Sequence, residues 1–175
     1  MIKNTLSIGL LAGIVALTTQ CNPSRQTESS AAESTPEMQT NVTKDTALYA
    51  TLESLNDTLS LQDSLMIQFT VTNPTGDTLQ YTQYHTPFEG FISKFLTVTD
   101  SSGAEVDYLG PMAKRVMPPP TETYHAVAPG QRESITFDLK KGYKITQAGT
   151  YTLQYNAEKI SGIANGEAIT ITVTR

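Results

Sequence analysis

The chain is poor in residues on which many exported proteins, and most nucleic-acid-binding proteins, depend. Its 175 residues include one cysteine and no tryptophan, and its 12 basic residues are outnumbered by 17 acidic ones, for a formal net charge of −5. A single cysteine cannot form an intramolecular disulfide, so the stability of a folded domain must come from its apolar core. The acidic balance argues against nucleic acid as a partner, because nucleic acids are bound by basic surfaces.

Sequence motifs for catalysis and metal binding are missing as well. Neither His85 nor His125 belongs to an HExxH zinc motif, and Pro87 argues against a helix that would bring His85 and Glu89 onto one face. No GxSxG nucleophile elbow and no glycine-rich phosphate loop occurs in the sequence. We therefore expect a protein that is not an enzyme and that uses no cofactor or metal.

Long apolar runs are also scarce. Residues 6–17 form an apolar segment that is too short to cross a bilayer, which takes about 20 residues. With Lys3 before it, this segment has the layout of a secretory signal peptide. Cys21 follows where a bacterial lipoprotein carries the cysteine that receives diacylglycerol. We predict a lipoprotein signal peptide over residues 1–20 and lipidation of Cys21.

Gln20 departs from the usual pattern before a lipidated cysteine, so two alternatives stay open: a secreted protein with a free thiol, or a retained membrane anchor. Residues 21–46 are rich in Ser, Thr, Glu, Gln and Pro. Such a composition buries too little apolar surface to offset the entropy of ordering, and it predicts a flexible tether. We expect attachment to a lipid bilayer through acylated Cys21 in the bacterial cell envelope, at the periplasmic face of the outer membrane or at the cell surface.

From residue 47 onward, apolar and polar residues alternate with the period of a β-strand. Turn signals separate the alternating stretches, and no stretch of comparable length has helical spacing. We predict that residues 47–175 form an all-β, immunoglobulin-like antiparallel β-sandwich of about 7–9 strands. Whether the last strand, 169–173, closes its sheet or offers an open edge stays undecided. The apolar positions that define the predicted strands lie in 48–52, 65–72, 79–81, 96–98, 106–108, 135–139, 151–155 and 169–173.

Tyr151 follows Gln147, Ala148 and Gly149 in the arrangement of a tyrosine corner, the motif in which a tyrosine hydroxyl bonds back to the backbone before a late strand. The alternative is a core aromatic residue on an alternating strand. Both interpretations give Tyr151 a structural role.

Two segments differ from ordinary sandwich sequence. Residues 84–91 are aromatic and contain a proline, and residues 109–120 carry a basic pair followed by three prolines. Because proline-rich loops lose little entropy on docking, both segments are candidate binding loops, although packed crossover loops are an alternative. The candidate residues are Thr86, Pro87, Phe88, Glu89, Gly90, Lys114 and Arg115.

Short motifs follow one another in a familiar order at 86–90, 106–111, 114–115, 128–130, 137–143 and 149–151. In that order, between about Leu48 and Tyr155, the chain resembles the β-rich N-terminal region, or propeptide, of bacterial deuterolysin-type (aspzincin) zinc metalloendopeptidases. A more distant likeness is to the small β-sandwich intracellular proteinase inhibitors of bacilli. In the peptidase family a catalytic domain with HExxH and a downstream Asp ligand follows the sandwich, and no residue here corresponds to those ligands. The resemblance therefore implies a stand-alone copy of a non-catalytic domain.

Two functions from different classes follow as hypotheses. The first is a binding lipoprotein that holds or restrains a peptidase or another exported protein, with Lys114 and Arg115 on a stiff loop that enters the partner. The second is a structural or carbohydrate-contacting envelope lipoprotein with no peptidase link, for which Tyr84, Phe88 and Phe91 would supply exposed aromatic rings.

Overall fold

The computed structural model describes residues 46–56 and 58–175. The predicted signal peptide, the predicted tether up to residue 45 and Cys21 lie outside these ranges. Within them, no helix has both the length and the apolar character that a membrane crossing needs. The strands of the described chain are β1 (Tyr49–Ser54), β2 (Leu59–Ser60), β3 (Met66–Thr72), β4 (Leu79–Thr82), β5 (Leu96–Asp100), β6 (Tyr124–Val127), β7 (Arg132–Asp138), β8 (Gly149–Tyr155) and β9 (Ile169–Thr174).

The helices are short. Three 3-10 helices span Pro87–Glu89, Thr121–Thr123 and Leu139–Lys141, and one α-helix, α1, spans Glu158–Ser161. Each covers about one turn, so in the described chain nearly all regular structure is strand.

The first sheet has the order β1-β3-β7, with both pairs antiparallel. On β3, Ile67, Phe69 and Val71 are fully buried, while Gln68 and Thr70 between them are only half-buried. This alternation is the result of the two-residue period of a strand, which sends successive side chains to opposite faces. The apolar face of the sheet therefore turns inward.

The second sheet has the order β2-β9-β8-β5. β9 pairs with β8 in antiparallel orientation and with β2 in parallel orientation. β2 covers only Val173 and Thr174 of the last strand. Within the described chain, residues 169–172 pair with β8 on one side and have no strand on the other, so the last strand is closed only at its end.

The two sheets pack face to face around the core. Phe69 of the first sheet and Tyr155 of the second place their ring centroids 5.0 Å apart. Burying a side chain of this size contributes about 1.5–3 kcal/mol relative to exposure. The largest fully buried side chains are Tyr81, Tyr143, Tyr155, Phe69, Phe95, Leu48, Leu65, Ile67, Leu96, Leu139, Leu153 and Ile163.

A third, two-stranded sheet joins β4 and β6 in antiparallel register. Tyr81 of β4 donates its hydroxyl hydrogen bond to Glu133 Oε2 of β7 at 2.8 Å. Nδ1 of His125, on β6, lies 2.8 Å from Oε1 of Glu133. The small sheet is thus attached to the first sheet through one carboxylate.

The turn at residues 73–77 is organised by Asn73, which is fully buried. Its Nδ2 donates to the carbonyl oxygens of Asp77 and Val127, both at 2.8 Å, and its Oδ1 accepts from Thr75 N at 3.0 Å. The side chain of Asn73 therefore forms hydrogen bonds within the turn and also holds the turn against the end of β6.

The predicted all-β sandwich is confirmed, with two differences in detail. The strand predicted at Val106–Tyr108 is wrong: Val106 N donates to Val98 O at 2.8 Å, and Tyr108 forms only a single bridge with Tyr143. The prediction also missed β2 and β6 and the parallel pairing of β2 with β9. A two-residue strand leaves no periodicity to detect, and Tyr124–Val127 does not alternate apolar with polar residues.

Candidate binding surface

The first candidate loop, residues 84–91, is largely buried. Thr86 is fully buried and caps the 3-10 helix Pro87–Glu89, since its Oγ1 accepts from Phe88 N at 3.2 Å. The same hydroxyl donates to Gln83 O at 2.7 Å. A threonine cap followed by proline at the first helical position is a favoured helix start, because proline lacks the N–H that would be unsatisfied there. Gly90 is exposed, but the other candidate residues of this loop form a platform and do not present a free surface.

Glu89 lies at the centre of this platform, and its side chain is 3% exposed. Its Oε1 accepts from His85 N at 2.8 Å and from Ser93 Oγ at 2.7 Å. Arg115 Nη2 lies 2.5 Å from the same oxygen. A buried carboxylate needs such partners, because an unpaired buried charge is very costly.

Arg115 brings the second candidate loop onto the first. Its side chain is 15% exposed, and its guanidinium carbon lies 4.8 Å from the centroid of the Tyr84 ring, a cation–π distance. Its Nη2 contacts Glu89 as an ion pair without the alignment of a hydrogen bond, and its Nε has no hydrogen-bond partner in the described chain. Arg115 therefore serves as an anchor. Of the predicted basic pair, only Lys114 is exposed.

Backbone bonds hold the same loop at further points. Ala113 N donates to Ile92 O at 2.9 Å, and Leu109 N donates to Gly142 O at 2.8 Å. The Tyr108 hydroxyl donates to Pro111 O at 3.3 Å. Together with the Arg115 anchor, these bonds tie the loop to the sandwich along its length.

Between these anchors the loop exposes large apolar side chains. Leu109 is 57% exposed, Met112 67%, Val116 68% and Met117 63%. We call residues 109–117 the apolar segment. The sequence interpretation concentrated on its basic pair and missed these four residues; the signal was present, because apolar residues recur there without the two-residue period of a buried strand.

His85 occupies the joint between the two loops. Its backbone φ is 56°, a left-handed conformation that is uncommon outside glycine and asparagine. Burial lowers the pKa of its imidazole, the carboxylate of Glu89 raises it, and the positive charge of Arg115 lowers it. On balance the pKa lies below its ordinary value, so the neutral ring is the favoured form beside Arg115.

His125 lies in a different environment, against aromatic rings. Its ring stacks on Tyr81 at 5.0 Å between centroids and lies 5.3 Å from Phe88. In residues 46–56 and 58–175, no group of three or more His, Cys, Asp or Glu side chains is placed to hold a metal ion. The contacts of His125 are those of a packed residue that joins β6 to Glu133.

The aromatic residues of the first loop are packed inward. Tyr84 is buried, and Phe88 and Phe91 pack against the core, with Phe91 stacked on Phe95 at 5.4 Å. A sugar-binding platform needs exposed ring faces, and these three rings do not provide one.

Tyr151 donates its hydroxyl hydrogen bond to Gln147 O at 2.8 Å, four residues upstream along the chain. This is the bond that defines a tyrosine corner. The residue begins the buried positions of β8 and is placed for a structural role. Cys21, the predicted lipidation site, lies outside the described residues.

No protein-family model matches the chain, and no curated protein matches it. Among solved structures, similar ones include a mutant β-glucosidase from Listeria innocua with laminaribiose, at TM-score 0.37 and 15% identity over 73% of this chain. The same enzyme with isofagomine gives TM-score 0.37 and 14% identity over 72%. The chain spans 16% of the length of these structures. Similarity at this level says nothing about the activity of this chain.

Proposed function

We propose that this protein is a non-catalytic exported lipoprotein whose β-sandwich binds another exported protein through the apolar segment, residues 109–117. The observation that carries the proposal is the exposure of Leu109, Met112, Val116 and Met117 on one anchored loop. Large apolar side chains grouped at the surface are a feature of protein interaction sites.

The anchors of the segment support a role in recognition. Because Arg115 is held by Glu89 and Tyr84, and Ala113 by Ile92, the loop is already ordered before a partner arrives. A pre-ordered loop loses less conformational entropy on binding than a free one does, and more of the contact energy then appears as affinity. Met112 and Met117 add adaptable, polarisable contacts.

The class of partner is proposed from the resemblance to peptidase propeptide regions. A domain that in that family precedes a catalytic domain would here restrain or inhibit a peptidase. Lys114, exposed between Met112 and Val116, would be the basic residue available to such a partner. Arg115 would support the loop from beneath and would not enter the partner.

A titration of residues 46–175 into a deuterolysin-type zinc endopeptidase tests the proposal. Every described sheet pairing and core residue lies within this range, so the fragment contains a complete core of its own. We expect a saturable loss of fluorogenic peptide cleavage while the intact mass of the titrant is unchanged. Full peptidase activity at saturating titrant would remove the peptidase as partner, and progressive cleavage of the titrant would make it a substrate.

The second part of the proposal is that the chain is attached to the cell envelope through Cys21. Acylated Cys21 would hold the chain at a bilayer, and residues 21–46 would let the domain reach a partner near it. Labelling of cells with a radioactive or alkyne fatty acid should mark the wild-type chain and leave Cys21→Ser unmarked. Equal labelling of both chains would contradict lipidation at Cys21.

A further inference from the structure

The outer strands of the two main sheets differ in how their edges are covered. β1 is covered by residues 163–166, since Ala50 N donates to Ala164 O at 3.0 Å and Ala164 N donates to Leu48 O at 2.8 Å. β5 is covered by the return of its own chain, since Val106 N donates to Val98 O at 2.8 Å. β2 contains only two residues.

Beyond β2, residues 169–172 of β9 have no strand on that side in the described chain, but the uncovered edge of β7 is longer. β7 pairs with β3 on one side over all seven of its residues, Arg132–Asp138. On its other side, no backbone group of the strand has a hydrogen bond to any described residue. A strand edge of this length is a template for pairing with another strand unless something covers or disrupts it.

The hydrogen-bond register shows which groups are free. Gln131 and Leu139, the two odd-numbered residues that flank β7, both bond on the side of β3. Leu139 N donates to Leu65 O, and Gln131 O accepts from Asn73 N. Ladder bonds of an antiparallel pair fall on every second residue. The N–H and C=O groups of Arg132, Ser134 and Thr136 therefore point to the open edge.

The ends of this edge carry opposite charges. Arg132, at the start, is exposed and has no ion-pair partner in the described chain. At the end, Asp138 Oδ1 accepts from Leu65 N and Lys140 N, while Oδ2 has no hydrogen-bond partner among the described residues. A strand with a cation at one end and an anion at the other is complementary to an antiparallel copy of itself.

We propose that β7 pairs with β7 of a second copy of this chain, in the antiparallel register centred on Ile135. In this register Arg132 lies opposite Asp138 of the second copy, Ser134 lies opposite its Thr136, and both relations occur twice by two-fold symmetry. The free N–H and C=O groups on the even-numbered residues then face each other, as an antiparallel ladder requires. The product is a six-stranded sheet, β1-β3-β7-β7-β3-β1.

Other registers are less favourable for reasons visible in the sequence. Centring the pair on Ser134 or on Thr136 keeps the backbone groups aligned but places Arg132 opposite Thr136 or Lys140. Only the register centred on Ile135 pairs both charges of each strand. Cross-strand pairs of opposite charge stabilise a sheet, and like charges directly opposite destabilise it.

Sedimentation equilibrium of residues 46–175 tests the proposal, with a proline variant and its matched control. Ser134→Pro removes an N–H that faces the open edge, so it blocks the second copy without removing a bond to β3. Ser134→Ala loses the same contact with Thr70 Oγ1, 2.8 Å away, but keeps the N–H. We expect a dimer for wild type and Ser134→Ala, and a monomer for Ser134→Pro.

Charge variants test the register and do not depend on the folding of the proline variant. Arg132→Asp places two carboxylates opposite each other twice, and we expect the dissociation constant to rise about tenfold or more. Arg132→Lys keeps the positive charge opposite Asp138 of the second copy and should keep the affinity of wild type. A wild-type monomer at about 100 μM would overturn the proposal, as would a dimer that survives both Ser134→Pro and Arg132→Asp. The pairing uses no residue of the apolar segment, so it stands or fails separately from the proposed function.

Discussion

Arg115 and Glu89 form an ion pair of 2.5 Å in which the two side chains are 15% and 3% exposed. They come from the two loops that stand out in the sequence, and their contact makes one loop the support of the other. The consequence is a division of roles. Residues 84–91 supply buried partners, and residues 109–117 carry exposed apolar side chains on that support.

Glu89→Gln tests how much the ion pair between Glu89 and Arg115 contributes to the free energy of unfolding. The substitution keeps the size of the side chain but leaves the guanidinium of Arg115 buried without a counter-charge. Removing one partner of a buried pair costs about 3–5 kcal/mol, and because Arg115 keeps some exposure we expect the lower end of that range. Urea unfolding of residues 46–175 measures the change.

Glu105→Gln is the matched control. Glu105 also pairs with a basic residue, Lys94, but side-chain exposure in that pair is 47% and 32%. Solvent screens such a pair, so its loss should cost less than about 1 kcal/mol. If the two variants lower the free energy of unfolding equally, the Glu89–Arg115 pair does not anchor the loop.

The pKa of His85 predicts how stability changes with pH. Burial holds this pKa below the ordinary value of 6.5, so the unfolded chain binds a proton at higher pH than the folded chain does. The contribution of neutral His85 is therefore complete above about pH 6.5 and is lost as the pH falls toward the folded pKa. His85→Asn tolerates the positive φ and cannot titrate. We expect its free energy of unfolding to depend less on pH between about 5 and 7 than that of wild type. If the free energies of unfolding of wild type and His85→Asn change with pH in parallel, His85 is not the cause of the pH dependence.

The corner hydrogen bond of Tyr151 is tested by Tyr151→Phe. The variant keeps the ring in the core and removes the bond to Gln147 O, which should lower the free energy of unfolding by about 1 kcal/mol. Tyr124→Phe is the control, since Tyr124 is exposed and its hydroxyl has no hydrogen bond in the described chain. Equal effects of the two substitutions would mean that the corner bond contributes no stability.

The fold was predictable where a strand is long and buried on one face. Residues such as Ile67, Phe69 and Val71 alternate with polar residues, and that period alone identifies β3. The alternation at Val106 and Tyr108 misled the prediction because it extends over too few residues to form a ladder. The parallel pairing of β2 with β9 leaves no local trace, since it depends on the end of the chain returning beside Leu59.

The site was predictable in location but not in its details. Composition identified both unusual loops, yet the sequence placed Arg115 at the surface, where charged residues usually lie. Its partner, Glu89, is distant along the chain, and only the fold brings the two together. With Arg115 turned inward, the exposed surface of the loop is formed by apolar residues and Lys114.

The central claim is that the apolar segment is the docking surface, and one affinity comparison tests it most directly. Binding of residues 46–175 to a deuterolysin-type zinc endopeptidase would be measured for wild type, Met112→Ser/Val116→Ser and Leu55→Ser. Leu55 is also apolar and exposed but lies outside the segment. We predict that the double variant raises the dissociation constant tenfold or more, by about 1.4 kcal/mol, and that Leu55→Ser leaves it unchanged. Equal affinity of wild type and the double variant would contradict the account.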